Sequence, residues 1–248
     1  MWTPEIIATV AACFLLAGLV KGVVGVGLPI VSLGLLTAII GLKEAMALTL
    51  VPALLANVWQ ALDGKALGAL LRRLWSLLLV ACITVWFGVA LLARGDAVLL
   101  SGLLGLLLCL YGAISLTAPP LPPPGRHEGW LAPLVGAVNG VVTGLTGVYA
   151  VPGVFYLQAL RLTRDELIQA MGVLFTVSTV ALGANLGGHG LLPAALGLGS
   201  AAAVLPTVLG MLLGRALRRR LSERRFRQVF LISLLVLGIY IIVRALLR

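Results

Sequence analysis

The chain holds 248 residues, 61% hydrophobic and 10% charged, with a formal net charge of +10. So apolar a composition excludes a water-soluble domain, and the basic excess lies between apolar runs, which argues against nucleic acid as a partner. Apolar runs of about 18 residues or more recur from end to end, each long enough for a transmembrane helix.

At the start, Met1-Trp-Thr-Pro-Glu5 shows neither a basic stretch nor a small-residue cleavage site. The first apolar run is therefore expected to be a mature helix and not a signal peptide. Five apolar segments follow at 5–21, 23–40, 45–62, 67–92 and 97–118. Five more occupy 129–146, 148–160, 167–186, 191–214 and 226–247. Between them, Pro119-Pro-Leu-Pro-Pro-Pro-Gly-Arg-His-Glu128 forms a semi-rigid, proline-rich connector. The domain expectation is a first transmembrane repeat at 1–118, a connector at 119–128 and a second repeat at 129–248.

The repeat is carried by one stretch. Gly18-Leu-Val-Lys-Gly22-Val-Val-Gly25-Val-Gly27-Leu-Pro29 recurs as Gly136-Ala-Val-Asn-Gly140-Val-Val-Thr-Gly144-Leu-Thr-Gly147-Val-Tyr-Ala-Val-Pro152. The match aligns Lys21 with Asn139. Looser matches pair Lys43-Glu44 with Arg164-Asp165 and Phe87-Gly88 with Leu209-Gly210. Glycines let backbones approach closely, and a following proline interrupts the helical ladder. Inside a membrane such a break persists only where protein or a watery cavity satisfies the freed backbone groups. Paired breaks in matching positions of two halves point to a transporter's binding site. The expected fold is thus all-α and integral to the membrane. It has two homologous halves of about five hydrophobic segments each, inverted, with broken or re-entrant helices at the glycine-rich stretches.

Loop charges favour inversion. Ten crossings collect Lys65, Arg72, Arg73, Arg126, Arg161, Arg164 and the run Arg215 to Arg227 on one side. Lys43, Arg94, Arg244 and Arg248 fall on the other. This skew places the basic side in the cytoplasm of a multi-pass plasma-membrane protein, both termini outside. The alternative makes 23–40 and 148–160 re-entrant hairpins, with eight crossings, parallel halves and a weaker skew. The arginine run from Arg215 to Arg227 is expected to rest on anionic lipid headgroups.

Chemistry-bearing residues are sparse. The acidic residues all fall at segment ends or in loops, where no intramembrane proton relay would place them. Two distant histidines, His127 and His189, and the spaced cysteines Cys13, Cys82 and Cys109 offer no metal site. No metal and no cofactor are expected, and an intramembrane enzyme lacks its usual parts. A passive channel for small anions is the alternative to a carrier, because glycine-lined breaks also build selectivity filters.

The expected substrate-binding residues cluster at the breaks. Lys21 stands one turn before the first, either as a cation facing a cavity or as a snorkelling helix-end lysine. Gly22, Gly25 and Gly27 accompany it, with Cys13 two turns earlier as a soft contact for sulfur. Asn139, Gly140, Gly144, Thr146, Gly147 and Tyr149 form the second set. Asn57, Gln60, Gln169 and Asn185, on the third segment of each half, are polar linings or helix-to-helix hydrogen bonds.

Gly144-Leu-Thr-Gly147-Val-Tyr-Ala-Val-Pro152-Gly-Val-Phe-Tyr-Leu157 resembles the TauE/SafE family of membrane permeases, which show Gly-Leu-x-Gly-x-Gly-Gly-Pro before an apolar stretch. The Gly18 to Pro29 stretch looks like its first-half counterpart, and the resemblance extends over nearly the whole chain. It implies transport of a small sulfur-containing solute: sulfite, a sulfonate or another organosulfur compound such as a thiolated nucleobase. The chain departs from the pattern at Tyr149-Ala150, where two glycines are usual, and at Leu28. Tyr149 would narrow the cavity and add an aromatic face. Neither the direction of transport nor the oligomeric state is legible in the sequence.

Overall fold

A computed structural model describes residues 3–119, 121–218 and 222–247. Residues 219–221 of the arginine run, and Arg248, lie outside the described residues. The described chain is helical throughout: α1 (Pro4–Val24), α2 (Leu28–Ile40), α3 (Leu42–Leu62), α4 (Leu67–Arg94), α5 (Ala97–Thr117), α6 (Glu128–Thr146), α7 (Gly153–Ala159), α8 (Arg164–Gly188), α9 (Ala194–Ala202), α10 (Val204–Arg218) and α11 (Glu223–Leu246).

Eight spans among the described residues are long and apolar enough to cross a membrane. The protein is therefore an all-α, multi-pass membrane protein. The apolar segment 191–214 is bent near Ala203, so α9 and α10 together form one span. The short helices are the two that follow the glycine-rich stretches. At 13 residues α2 is about 20 Å long, and at seven residues α7 is only about 10 Å.

Local signals explain the ends. Thr3 caps α1, with Pro4 in its first turn, and Thr163 with Glu166 forms a reciprocal capping box on α8. The expected interruption by proline is corrected here: glycines stop the helices. Gly25 (φ 85°) and Gly147 (φ 75°) cap α1 and α6 in the left-handed conformation. Each donates its N–H four residues back, to Lys21 at 2.8 Å and Thr143 at 2.7 Å. Pro29 and Pro152 instead stand at the starts of α2 and α7, where a missing N–H costs nothing.

The helices gather into two compact units, each drawing on both sequence halves. The first comprises Met1–Pro52, Ala97–Thr117 and Pro193–Arg248; the second comprises Ala53–Asp96 and Ala118–Leu192. In the first unit, α1 and α10 run parallel through small residues. A Cβ on Gly18 would overlap the Thr207 carbonyl, and one on Gly22 the Met211 carbonyl. Gly210 and Gly214 meet Leu15, Leu19 and Gly22 in return. Helix α11 packs antiparallel on α5 through Gly105, Gly112 and Gly238. These are small-residue crossings of the kind that let membrane helices pack without a hydrophobic driving force.

In the second unit, α4 and α6 run parallel, with Gly136, Gly140 and Gly144 against Leu77, Ala81 and Val85. Gly88 packs on Val141 and Gly144. Helix α8 lies antiparallel to the C-terminal half of α3, Gly172 fitting against Gln60 and Ala61. Near its start, α4 carries Arg73, which grips Glu128 of α6 at 2.7 and 2.9 Å. Arg73 also feels Glu166, in the first turn of α8. Helices α4, α6 and α8 therefore begin at one end, and the stretch between α6 and α8 returns the chain to it. That arrangement disfavours the re-entrant alternative, which would put Arg126 and Arg164 on opposite sides.

These contacts also correct the alignment of the two stretches. Gly144 meets Val85 and Gly88 as Gly22 meets Met211 and Gly214, and Gly147 caps α6 as Gly25 caps α1. In space Gly22 thus corresponds to Gly144, one helical turn beyond the match to Gly140. Lys21 then corresponds to Thr143, not Asn139, and Gly88 to Gly214, not Gly210.

Helix α3 contains Pro52, which has no N–H and displaces the carbonyl of Leu48. Ser200 of α9 fills the gap. Its hydroxyl donates to the Leu48 carbonyl at 2.8 Å and accepts from the Val51 N–H at 3.0 Å.

Candidate functional site

The second break folds onto the middle of the second unit. Asn139, fully buried in α6, accepts the N–H of Gly153 at 3.0 Å through Oδ1, which fixes the start of α7. Its Nδ2 has no hydrogen-bond partner among the described residues. Thr146 donates to the Val142 carbonyl at 2.8 Å and accepts from the Val148 N–H at 3.3 Å, and the Thr143 hydroxyl lies 3.5 Å from the Val148 carbonyl. Side chains of α6 thus satisfy backbone that the left-handed Gly147 has turned out of the helix.

Tyr149 then enters the core of the unit. Its ring lies 5.2 Å from that of Phe175, tilted by 49°. Its hydroxyl hydrogen-bonds with Thr179 and Asn57. Asn57 Nδ2 is 3.5 Å from the Thr179 hydroxyl, which donates to the Phe175 carbonyl at 2.6 Å. Ser178, fully buried, has a hydroxyl with no hydrogen-bond partner among the described residues. On α8 the residues 175, 178 and 179 share a face, with Leu174 beside them touching the same Gly153 that Asn139 holds. The result is a neutral, buried set of amides and hydroxyls against two aromatic rings, with no carboxylate or cation in it among the described residues.

Of the expected residues, the structure gathers Asn57, Asn139, Thr146, Gly147 and Tyr149 here. Gln60 and Gln169 tie α3 to α8 instead. Gln60 donates to the Ile168 carbonyl at 2.8 Å, and Gln169 donates to the Ala61 carbonyl at 2.9 Å while accepting from the Ala66 N–H at 3.0 Å. Asn185 lies near the end of α8 and donates to the Ala181 carbonyl of its own helix at 2.7 Å. Gly140 and Gly144 sit at the crossing with α4, and Gly22 at the crossing with α10.

The first break lies in the other unit. Gly25 and Gly27 both have positive φ (85° and 110°), and Phe230 with Val20 covers Gly27. Lys21 is buried in the last turn of α1, and Cys13 is buried two turns before it. A hydroxyl pair, Thr49 and Ser32 at 3.2 Å, joins α3 to α2.

Ser178, Thr179 and Phe175 were not singled out from the sequence. The signal available was the Ser-Thr pair inside an apolar run, since hydroxyls there seek a partner across a helix interface. Among the described residues no three His, Cys, Asp or Glu side chains come close enough to hold a metal ion.

Residues 10–241 match the family described as Sulfite exporter TauE/SafE. No curated protein and no solved structure matches the chain.

Proposed function

Because the chain belongs to the TauE/SafE sulfite exporter family, we propose that it carries a small sulfur-containing solute across the cytoplasmic membrane by alternating access. The solute is sulfite, a sulfonate or another organosulfur compound such as a thiolated nucleobase. In this reading it meets Asn57, Asn139, Tyr149, Ser178 and Thr179, and the strongly basic helix ends lie in the cytoplasm.

The observation that carries the reading is the Asn139 amide. One end of it holds the break, while the other is a buried donor without an acceptor among the described residues. Leaving such a donor unsatisfied costs about 1–3 kcal/mol, so the site is built for an acceptor that arrives with the solute. Sulfite, sulfonates and thiocarbonyl compounds all present oxygen or sulfur acceptors. The tilted rings of Tyr149 and Phe175 suit a planar one.

Counterflow in proteoliposomes tests this. Preloading with sulfite, an alkyl sulfonate, thiosulfate or a thiolated pyrimidine should accelerate uptake of the same labelled compound. A passive pore equilibrates label without acceleration. Failure of all four compounds to be exchanged or bound would overturn the proposal.

A further inference from the structure

The first unit carries a long apolar groove that the transport reading does not use. It has a volume of about 590 Å³ and runs between α1, α2 and α11. Leu16, Leu19 and Val20 form one wall, Val31 and Leu35 a second, and α11 from Phe226 to Tyr240 the third. Those 14 helical steps extend about 21 Å, somewhat more than one leaflet of a hydrocarbon core about 30 Å thick. Only Ser233 and the Tyr240 hydroxyl interrupt the apolar lining, and Ser233 turns its hydroxyl back to the Val229 carbonyl at 2.9 Å.

One end of the groove is basic. Arg225 is exposed in the first turn of α11, four residues before Val229 and so on the face that Val229, Ile232 and Val236 present to the groove. Arg215 is exposed in the last turn of α10, which crosses α1 at Gly22, just past the Val20 wall. An apolar channel of acyl-chain length, with arginines that helix position places near one end, matches the two ends of one molecule. The floor is also informative, because Phe230 and Val20 line the groove and are the side chains packed on Gly27.

We infer that this groove binds one anionic phospholipid, an acyl chain lying along α11 and the headgroup phosphate on Arg225 and Arg215, and that its occupancy braces the first helix break. A zwitterionic lipid has the same chains but no net charge to reward the arginines. Preference for the anionic headgroup is therefore the discriminating property.

The test uses the full-length protein with Tyr240→Trp as a reporter, an aromatic exchange at an exposed position of the groove. Phosphatidylglycerol or phosphatidylcholine with brominated acyl chains is titrated into mixed vesicles and tryptophan quenching is read. The native tryptophans are replaced by Phe, and folding is checked by melting temperature. Phosphatidylglycerol should quench at a mole fraction lower by about fivefold for each arginine engaged. Arg225→Gln and Arg215→Gln should each reduce that preference, and the double variant should abolish it. A control tryptophan at Leu106, exposed on α5, should show no preference. Equal quenching by the two lipids overturns the inference. So does a reporter that neither lipid reaches, with two copies joined in solution, which makes the groove an interface between copies.

Discussion

Asn139 and Gly153 are joined across 14 residues by a 3.0 Å hydrogen bond from the Gly153 N–H to the Asn139 Oδ1. That bond lets a seven-residue helix start in the interior of an apolar unit, because it satisfies a backbone donor that an α-helix leaves orphaned at its N-terminus. It also holds the amide in place, whose Nδ2 has no hydrogen-bond partner among the described residues.

Replacing Asn139 separates the two roles of its amide. Asn139→Ala should lose about 1–3 kcal/mol of stability, since the Gly153 N–H is then buried without an acceptor. Asn139→Asp keeps an acceptor for Gly153 but swaps the free donor for a second oxygen. It should retain more of the melting temperature than the alanine variant while binding an anionic solute at least tenfold more weakly. Isothermal titration with sulfite alongside melting curves reads both effects. Equal sulfite affinity in wild type and Asn139→Asp would remove this residue from the solute's surroundings.

Tyr149 offers a ring and a hydroxyl, and two substitutions distinguish them. Tyr149→Phe keeps the contact with Phe175 and loses the bonds to Thr179 and Asn57, for a stability cost of about 1 kcal/mol. Tyr149→Leu loses the aromatic face, so affinity for a thiolated pyrimidine should fall about tenfold while affinity for sulfite changes little. Competition binding with both compounds checks the contrast, and a parallel loss for the two would show a packing role alone.

Gly144 and Gly147 sit three residues apart but should fail differently. A Cβ at Gly144 meets the Val85 carbonyl and the Gly88 Cα, both backbone, so Gly144→Val forces α4 and α6 apart. A destabilisation of at least about 1–3 kcal/mol and a poor yield of folded protein follow. Gly147→Ala carries the strain of φ 75°, about 1–2 kcal/mol, and should yield folded protein with altered transport. Size-exclusion profiles and thermal melts of both decide it.

The directions of α4, α6 and α8 predict labelling. In a background lacking Cys13, Cys82 and Cys109, single cysteines at Arg72 and Arg164 should react with an impermeant maleimide from the same side. One at Asp96, just past the other end of α4, should react from the opposite side. Labelling of Arg72 and Arg164 from opposite sides would contradict the shared end that Arg73, Glu128 and Glu166 describe.

Ser200 and Pro52 should be coupled. Ser200→Ala leaves the Leu48 carbonyl and the Val51 N–H without their partner, a loss of about 2–3 kcal/mol. Pro52→Ala restores an N–H for the Leu48 carbonyl, so removing Ser200 in that background should cost less than about 1 kcal/mol. A double-mutant cycle on melting free energies measures the difference. Additive losses would show that the hydroxyl does not serve the proline.

Much of this architecture was legible before any coordinates. Apolar run lengths located the long helices, and the repeated glycines marked both breaks. Run length could not reveal that 148–160 contains only seven helical residues, because apolar sequence is equally suited to the non-helical backbone around Tyr149 once protein buries it. The four-residue offset between Gly22 and Gly144 was hidden by the Gly-x-Val-x-Gly-Val-Val match itself. A one-turn shift leaves glycines on nearly the same helix face, so only their partners on α4 and α10 reveal the register. The site was half legible. Asn57, Asn139 and Tyr149 stood out as polar or bulky in apolar surroundings. Ser178 and Thr179 did not, because the polar and apolar residues of α8 are not sorted onto opposite sides and its sequence does not say which face meets Tyr149. Ser200 was invisible for another reason: its role depends on a proline 148 positions earlier in the chain.

The pairing of α1 with α10 sets an order of events during synthesis. Every residue of the second unit has been made by Leu192, whereas Gly18 and Gly22 find Gly210 and Gly214 only after the second unit is complete. At about 5–20 residues per second, α1 waits roughly 10–40 s after its own emergence with its glycine face turned to lipid or to an insertion factor. Nascent chains halted after Leu192 should therefore hold a protease-resistant core from 53 to 192 while α1 still lacks α10, which covers its glycine face only once it has been made.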